Sequence, residues 1–194
     1  KKKLSFYSPS NFENHIKNLL ASLTVISIFK DINKLEKNIF YNHKLLKGRG
    51  DISKIKINKK NIYLVDESYN SNPMSLKSAI KNFDMIKINK SKKHLIIGDM
   101  LELGKYSKKL HSIIGNYINK TSIDRINVIG KHIKETYKNI DKNKKGLILK
   151  NNFQMINLIK NNVNNNDYLM IKGSNSTKLH ELADILKSGK INAL

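Results

Sequence analysis

The feature that most constrains the fold is a short apolar run that ends in a carboxylate and leads through a polar loop to a proline. The run is Ile62 to Val65, Asp66 closes it, and the polar residues continue to Pro73. Such a run is typical of a buried parallel strand. Proline fits the first turn of a helix, where its missing N–H is not needed. The segment therefore predicts strand, loop and helix, with an acid at the edge where open α/β sheets bind ligands.

The same order of elements continues to the end of the chain. Strands are predicted over 62–66, 94–99, 125–130, 146–149 and 168–172, and helices over 73–88, 107–119, 132–139, 152–163 and 177–187. Residues 52–57 alternate apolar and polar side chains, which predicts an edge or hairpin strand. Strands alternating with helices of this length form right-handed βαβ units. We therefore expect an α/β fold with a Rossmann-like, mostly parallel sheet and helices on both faces.

The first part of the chain has a different pattern. Apolar residues at three- and four-residue spacings predict a helix over 11–29, and a second short helix is predicted over 34–41. Neither helix could bury its apolar face alone. We therefore divide the chain near Gly48-Arg49-Gly50, into residues 1–47 and 48–194. Because the sequence begins without Met, we expect it to be a piece of a longer protein.

The formal net charge of +22 suggests a nucleic-acid partner. However, Arg49 and Arg125 are the only arginines, whereas nucleic-acid readers favour Arg for bidentate contacts. The lysines are dispersed along the whole chain, and Lys, Asn and Ile share A/T-rich codons. We interpret the charge as a solvated surface in an A/T-rich genome and expect no nucleic-acid partner. A basic nucleic-acid-binding module stays open as an alternative, which predicts a steep salt dependence of DNA affinity.

Cysteine is absent, which excludes disulfides and thiolate chemistry and fits a reducing compartment. No apolar stretch reaches the length of a membrane span, and no apolar segment of a signal peptide follows the initial lysines. We therefore expect a cytoplasmic protein without membrane insertion.

Three polar clusters follow three predicted strands, at residues 66–73, 98–104 and 172–176. Since the carboxyl ends of parallel strands lie at one edge of a sheet, we expect the three clusters to converge there. Their convergence would point to a binding site more strongly than any one cluster does.

Each cluster has a functional and a structural interpretation. Asp66 could accept a ribose hydroxyl, or it could cap its own loop. Asn70 and Asn72 suit an amide-rich ligand such as a peptide, but asparagine is also common in ordinary turns. Lys172 to Ser174 place a cation, a glycine and a hydroxyl where they could bind an anion, or where Ser174 could simply cap a helix.

Other polar residues carry weaker signals. Arg49, with glycine on either side, could contact a phosphate at a domain junction or form a surface salt bridge. Asp99 and Glu102 could bind a cation or steer an amine, or cap the next helix. His111 lies on a predicted helix, where histidine is more often structural. The histidines have no metal-ligand spacing, no Ser/His/Asp nucleophile motif is present, and no metal site or catalytic group is expected.

One motif is missing from the sequence. No Gly-Lys pair is followed by Ser or Thr, because the three pairs continue to Tyr106, His132 and Ile191. The chain therefore lacks a P-loop, and we expect residues outside it to hold any ATP triphosphate.

The ordered motifs resemble the C-terminal part of the Mur ligases, specifically the MurF family, which joins D-Ala-D-Ala to UDP-N-acetylmuramoyl-tripeptide. The matching residues are Gly48-Arg49, the Asp-Glu-Ser-Tyr-Asn-Ser-Asn-Pro loop at 66–73, Gly-Asp-Met-Leu-Glu-Leu-Gly at 98–104 with His111 after it, and Lys-Gly-Ser at 172–174. The segment at 18–29 more loosely resembles the tail of the family's central ATPase domain. In this chain Asn175 stands where the family often has Arg.

The resemblance implies a Mur ligase C-terminal domain preceded by a helical remnant of the ATPase domain. It implies an ATP-dependent ligase of peptidoglycan precursor synthesis that forms an acyl phosphate on the tripeptide carboxylate, which the dipeptide amine attacks. Arg49 and Asp66 would bind ATP. The residues implied in substrate binding are Ser68, Tyr69, Asn70, Asn72, Lys172, Gly173 and Ser174.

The resemblance also implies that Mg²⁺ and the muramoyl substrate bind mainly upstream, that the enzyme is a monomer, and that these 194 residues alone are inactive. Two other functions remain open. One is another Mur-like ligase, of the tripeptide-forming or folylpolyglutamate type. The other is a non-catalytic domain that binds a nucleotide or a peptide.

Overall fold

The protein is described by a computed structural model that covers residues 3–10, 12–43 and 46–193. The chain divides into two compact units, Lys1–Leu45 and Leu46–Leu194. None of the described helices is long and apolar enough to cross a membrane.

Among its described residues, the first unit contains one α-helix, α1 (Glu13–Phe29), and a short 3₁₀ turn, Ile32–Lys34. On α1 only Leu23 is buried, whereas Leu20, Ile28 and Phe29 remain exposed.

The predicted helix over 34–41 is wrong, because this segment forms isolated turns. The backbone N–H of Tyr41 donates to Asn38 O, whereas an α-helix would direct it to Lys37 O. That carbonyl already accepts the N–H of Tyr7 at 2.7 Å. Asn38 and the β-branched Ile39 also have low helix propensity. A contact from outside the segment therefore takes the acceptor that a helix would need.

The second unit is built on a six-stranded sheet. Its strands are β1 (Asp51–Ile57), β2 (Lys60–Glu67), β3 (Lys93–Gly98), β4 (Arg125–Ile129), β5 (Lys145–Leu149) and β6 (Tyr168–Lys172). The strand order is β1-β2-β6-β3-β4-β5. β1 pairs antiparallel with β2, and all other pairs are parallel. The predicted edge strand and mostly parallel sheet are confirmed.

Helices cover both faces of the sheet, as predicted. They are α2 (Pro73–Asp84), α3 (Ser107–Asn119), α4 (Lys134–Lys138), α5 (Asn152–Asn162) and α6 (Leu179–Lys187). Leu64 packs into a core with α5 and α6, while its neighbour Val65 packs into a second core with α2 and α3. Because successive strand residues point to opposite faces, two cores require the continuous apolar run seen in β2.

The helix ends differ from the prediction where side chains intervene. Pro73 begins α2 as predicted, and Asn72 and Ser75 form a reciprocal cap at this end. α2 ends at Asp84 rather than at residue 88, since the Lys93 ammonium takes the Asp84 carbonyl. α6 begins at Leu179 because Lys178 adopts a left-handed backbone conformation, with a φ of 56°.

Two histidines are buried inside this unit. The Nδ1–H of His111 donates to Ser107 O at 2.8 Å, and its Nε2 accepts the N–H of Met100 at 3.1 Å. His94 Nε2 lies 3.0 Å from Asp167 Oδ2. Burial lowers the pKa of both histidines, and for His94 it outweighs the opposing effect of Asp167. Both side chains are therefore neutral in the folded protein near neutral pH.

We expect the free energy of unfolding to fall as the pH drops below about 6.5, the ordinary pKa of histidine. Below this pH the unfolded chain takes up protons that the folded chain does not, so acid favours unfolding. Thermal denaturation between pH 5 and 8 measures the slope. His111→Gln should reduce the slope, whereas His43→Gln, at an exposed position, should leave it unchanged. Equal slopes in the two variants would contradict this account.

Candidate functional site

The three polar loops meet at the carboxyl edge of the sheet, because β6 lies between β2 and β3. Ser174, which follows β6, joins its two neighbours. Its N–H donates to Asp99 O at 3.0 Å, and its Oγ accepts the N–H of Leu101 at 3.0 Å. The same hydroxyl donates to Ser71 O at 3.3 Å. The predicted convergence is therefore present, and a single buried serine connects all three loops.

Lys172 is also committed to a neighbouring loop. The side chain is 2% exposed, and its Nζ donates to Asn70 O at 2.9 Å and lies 3.3 Å from Glu67 Oε2. Burial lowers the pKa of Lys172, and Glu67 opposes this shift. The ammonium thus holds the loop after β2 in place and is largely shielded from solvent.

Gly173 permits a close approach between the ends of two strands. A Cβ at this position would lie 2.6 Å from Thr177 Oγ1 and 3.2 Å from Gly98 Cα. A larger residue would therefore separate β6 from β3 and displace Ser174.

Asp66 is 1% exposed, and both of its carboxylate oxygens have protein partners. Oδ1 accepts the N–H and the hydroxyl of Ser68 at 3.0 and 2.5 Å. Oδ2 accepts the Lys187 ammonium at 2.6 Å, and this ammonium also lies 2.5 Å from Asp51 Oδ2. Burial alone would lower the pKa of Lys187, but the hydrogen bonds to Asp51 and Asp66 raise it. Asp66 therefore caps its own loop, one of the two roles that the sequence left open.

Arg49 lies over the ring of Tyr69, with its guanidinium carbon 4.3 Å from the ring centroid. Tyr69 is 55% exposed, so this cation–π pair faces solvent. The Gly48 carbonyl accepts the N–H of Tyr69 at 3.1 Å, and the N–H of Gly50 donates to Asp66 O at 2.8 Å. Gly48 has a φ of +73°, and a Cβ there would lie 2.9 Å from Tyr69 N. This glycine is required for the close contact.

These residues surround a cavity of about 450 Å³. It is lined by Leu46, Lys47, Gly48, Arg49, Asp66, Ser68, Tyr69, Asn175, His180 and Asp184. The volume lies within the range of small-molecule sites. The guanidinium of Arg49, positioned by the Tyr69 ring, and the carboxylate of Asp66 are groups that suit the phosphates and the ribose of a nucleotide. ATP or ADP is therefore compatible with the residues present.

His180 is a lining residue that the sequence reasoning missed. His180 belongs to no metal-ligand spacing and to no nucleophile motif, and a single helical histidine carries no other signal. In the structure His180 Nδ1 is buried and has no hydrogen-bond partner among the described residues. Asp184, one helical turn later on α6, lines the same cavity. His180 and Asp184 are four residues apart, so they lie on one face of the helix that follows the Lys-Gly-Ser motif. This spacing is the sequence signal that could have identified them.

Asn70 and Asn72 perform turn chemistry, as their structural interpretation held. Asn70 Oδ1 accepts the N–H of Ser71 at 2.7 Å, and Asn72 caps α2. Both side chains are exposed at the loop surface.

Asp99 does not face this cavity. Its carboxylate accepts the N–H groups of Lys131 and Ile133 at 3.0 and 2.7 Å, so it caps the start of α4. In the part of the chain that the structure describes, no group of three His, Asp or Glu residues could hold a metal ion.

Comparison with known proteins gives the family. The family model described as "Mur ligase, glutamate ligase domain" matches residues 53–175. The UDP-N-acetylmuramoyl-tripeptide–D-alanyl-D-alanine ligase of Rickettsia prowazekii is 28% identical over 178 residues, which cover 92% of this chain and 38% of that protein. The enzyme of the same name from Buchnera aphidicola subsp. Baizongia pistaciae is 33% identical over 178 residues, covering 89% of this chain and 36% of its own length.

The fold of this chain agrees with solved structures of MurF ligases. MurF from Thermotoga maritima, crystallised with ADP, superposes with a TM-score of 0.74 at 20% identity, covering 91% of this chain and 38% of that one. MurF from Acinetobacter baumannii gives a TM-score of 0.72 at 21% identity, with the same coverage. The chain thus spans less than two fifths of these relatives. Since the family model matches well over half of the chain, the protein belongs to the Mur ligase family, and these residues contain its glutamate ligase domain.

Proposed function

We propose that this chain is the C-terminal part of an ATP-dependent ligase that joins D-Ala-D-Ala to UDP-N-acetylmuramoyl-tripeptide in the cytoplasm, for peptidoglycan synthesis. The observation that carries the proposal is the cavity bounded by Arg49, Tyr69 and Asp66 beside three connected loops. We call it the nucleotide cavity. The relatives named for this reaction support the choice of substrates.

The proposed reaction forms one amide bond. The γ-phosphoryl group of ATP passes to the terminal carboxylate of the tripeptide, and ADP leaves. The amine of the dipeptide then attacks the acyl phosphate, loses a proton and displaces inorganic phosphate. These steps require the substrates to be held together and shielded from water, which domain closure provides. We assign this chain a binding and positioning role, and no residue in it a role in bond making.

Each part of the site has a proposed task. Arg49 contacts the nucleotide phosphates, and the Tyr69 ring below it restricts the guanidinium to a narrow range of positions. Asp66 accepts a ribose hydroxyl with its orientation fixed by Lys187 and Ser68. The loops joined by Lys172 and Ser174 form the surface for the dipeptide, with Asn70 and Asn72 at its exposed margin. We assign the Mg²⁺ ligands to residues outside these 194, together with the P-loop that the sequence lacks.

The reaction is tested by measuring phosphate release from the full-length gene product. We expect release to require ATP, UDP-N-acetylmuramoyl-tripeptide and D-Ala-D-Ala together. Asp66→Asn keeps the side-chain shape but removes the charge that faces Lys187, and it should raise the KM for ATP about tenfold. Thermal denaturation must show that the variant is folded. A folded wild-type protein that releases no phosphate would exclude the ligase, and an unchanged KM in the variant would remove Asp66 from the nucleotide site.

Arg49→Lys separates charge from shape. Lysine keeps the positive charge but cannot offer a planar guanidinium to both the Tyr69 ring and a phosphate. We expect the KM for ATP to rise about three- to thirtyfold, with little change in the KM for the dipeptide. Arg49→Gln, which removes the charge as well as the planar group, should raise the KM for ATP further. If Arg49→Lys leaves the KM for ATP unchanged, Arg49 contributes only its charge.

Ser174→Ala tests the connection between the loops. The variant leaves the Leu101 N–H without its acceptor, which costs roughly 1–3 kcal/mol of stability. We expect the KM for D-Ala-D-Ala to rise more than the KM for ATP, because the dipeptide surface loosens while the nucleotide cavity is kept. Ser176→Ala removes an exposed hydroxyl of the same loop as a matched control. Equal kinetics in the two variants would refute a positioning role for Ser174.

A further inference from the structure

A second cavity lies at the opposite, amino edge of the sheet, where β3, β4 and β5 begin. Its volume is about 530 Å³. It is lined by Lys92, His94, Asp124, Arg125, Asn127, Asn143, Lys145, Gly146, Leu147, Leu158, Asn162 and Asn164. None of these residues lines the nucleotide cavity. The proposed ligase reaction therefore gives this cavity no task.

Asn127 forms part of this cavity from within β4. The pairing of β4 with β5 is irregular here, because Ile126 faces Lys145 while Val128 faces Ile148. β5 thus carries one extra residue. The Asn127 Oδ1 accepts the N–H of Leu147 at 2.9 Å and replaces the backbone acceptor that the bulge removes.

Glycine at position 146 leaves room for this side chain. A Cβ on Gly146 would lie 2.2 Å from Asn127 Oδ1. The amide is thus fixed in one orientation by a bulge and a glycine together, which directs its oxygen to β5 and its nitrogen away from that bond.

The nitrogen of this amide is the unexplained group. Asn127 is 1% exposed, and its Nδ2 is buried without a hydrogen-bond partner in the described parts of the chain. An amide NH₂ is only a donor, so a partner must supply an acceptor. A buried donor left unpaired destabilises the folded protein. An acceptor bound in the cavity would remove this cost.

The charges around the cavity favour an anionic acceptor. Arg125 is one of the two arginines of a chain whose other basic side chains are lysines, and the other, Arg49, lines the nucleotide cavity. One of its five N–H groups donates to Lys145 O at 2.7 Å, which fixes the guanidinium at the rim. Lys92 adds an exposed cation.

The negative groups nearby already have partners. Asp124 Oδ2 accepts the N–H of Lys93 at 2.8 Å. Asp167 accepts the N–H groups of Lys92 and Asn164, both at 2.8 Å, and contacts His94.

The carboxyl end of α5, which would otherwise oppose an anion, is also neutralised. The Lys60 ammonium donates to the carbonyls of Lys160 and Val163 at 2.9 and 3.0 Å. Among the residues that line the cavity, the cations Arg125, Lys92 and Lys145 outnumber the single carboxylate, Asp124.

We propose that the amino-edge cavity binds a small oxyanion, a phosphate or phosphomonoester group, between the Asn127 amide and the Arg125 guanidinium. Arginine and amide donors are the groups that recognise such oxygens, and Arg supplies two parallel N–H groups where Lys supplies a point charge. The volume exceeds that of inorganic phosphate alone, so an organic phosphate also fits. This site is independent of the nucleotide cavity and of the ligase reaction.

The test follows the side-chain amide resonances of the ¹⁵N-labelled full-length gene product during titration. The probes are inorganic phosphate, glucose 6-phosphate and glucose, at constant ionic strength in chloride. We expect saturable shifts of the Asn127 side chain and of the Leu147 amide with both phosphates and none with glucose. Tighter binding of glucose 6-phosphate would identify an organic phosphate as the ligand class, and tighter binding of inorganic phosphate would identify the free ion.

Two variants locate the site. Arg125→Gln should weaken the binding at least about tenfold. Asn127→Asp keeps the acceptor for Leu147 but replaces the donor with a carboxylate oxygen, and it should abolish the binding. Lys109→Gln removes one exposed charge elsewhere as a control and should have no effect. Thermal denaturation checks that each variant is folded, and Arg125→Gln, at an exposed position, decides the question if Asn127→Asp unfolds.

Three results would overturn the proposal. The first is a folded wild-type chain whose Asn127 resonances do not move with either phosphate. The second is an equal response to glucose, which would mark a polar groove without anion selectivity. The third is equal loss of affinity in Arg125→Gln and Lys109→Gln, which would mean that the phosphate responds only to the overall charge of the chain.

Discussion

The insertion of β6 between β2 and β3 is the constraint on which the rest of the site depends. β6 is the last strand in the chain, yet both of its neighbours come much earlier. Until it pairs with them, the loops after β2 and β3 have nothing to join them. Once it is in place, Ser174 hydrogen-bonds to both loops and Lys172 reaches the loop after β2. The site is therefore completed by long-range pairing, not by any local motif.

Buried charge then fixes the loops within this frame. Lys187, from α6, lies between Asp66 and Asp51, which face one another across the antiparallel pair β1 and β2. Lys172 does the same for Glu67 and the next loop. Removing one partner of a buried pair is far more costly than the pair is favourable, so these lysines specify positions more than they add stability. In a chain with so many lysines, the buried Lys172 and the partly buried Lys187 each have a defined structural task.

The sequence predicted the elements better than their interactions. The apolar runs identified the five parallel strands, the alternation at residues 52–57 identified the edge strand, and Pro73 marked the start of α2. The helix predicted over 34–41 failed because Tyr7, distant in sequence, binds the Lys37 carbonyl. Asp66 matched two patterns equally well, and only the position of Lys187 showed that its carboxylate is shared within the protein. The pairing of Asp66 with Lys187 joins residues 121 positions apart, and no local sequence pattern indicates it.

The Asn-rich composition conceals one residue, Asn127, whose importance becomes clear only from its position in the fold. In a chain rich in Asn and Lys, a single asparagine within the apolar strand Ile126 to Ile129 resembles drift. Its burial at 1% exposure changes that interpretation, because an asparagine of no consequence would be at the surface. Its amide oxygen restores a hydrogen bond that the β5 bulge breaks, and this accounts for the carbonyl group of the side chain. An apolar residue would lose that bond, but aspartate or threonine could also accept it. The fold therefore explains the amide oxygen of Asn127, whereas a bound ligand would explain its amide nitrogen.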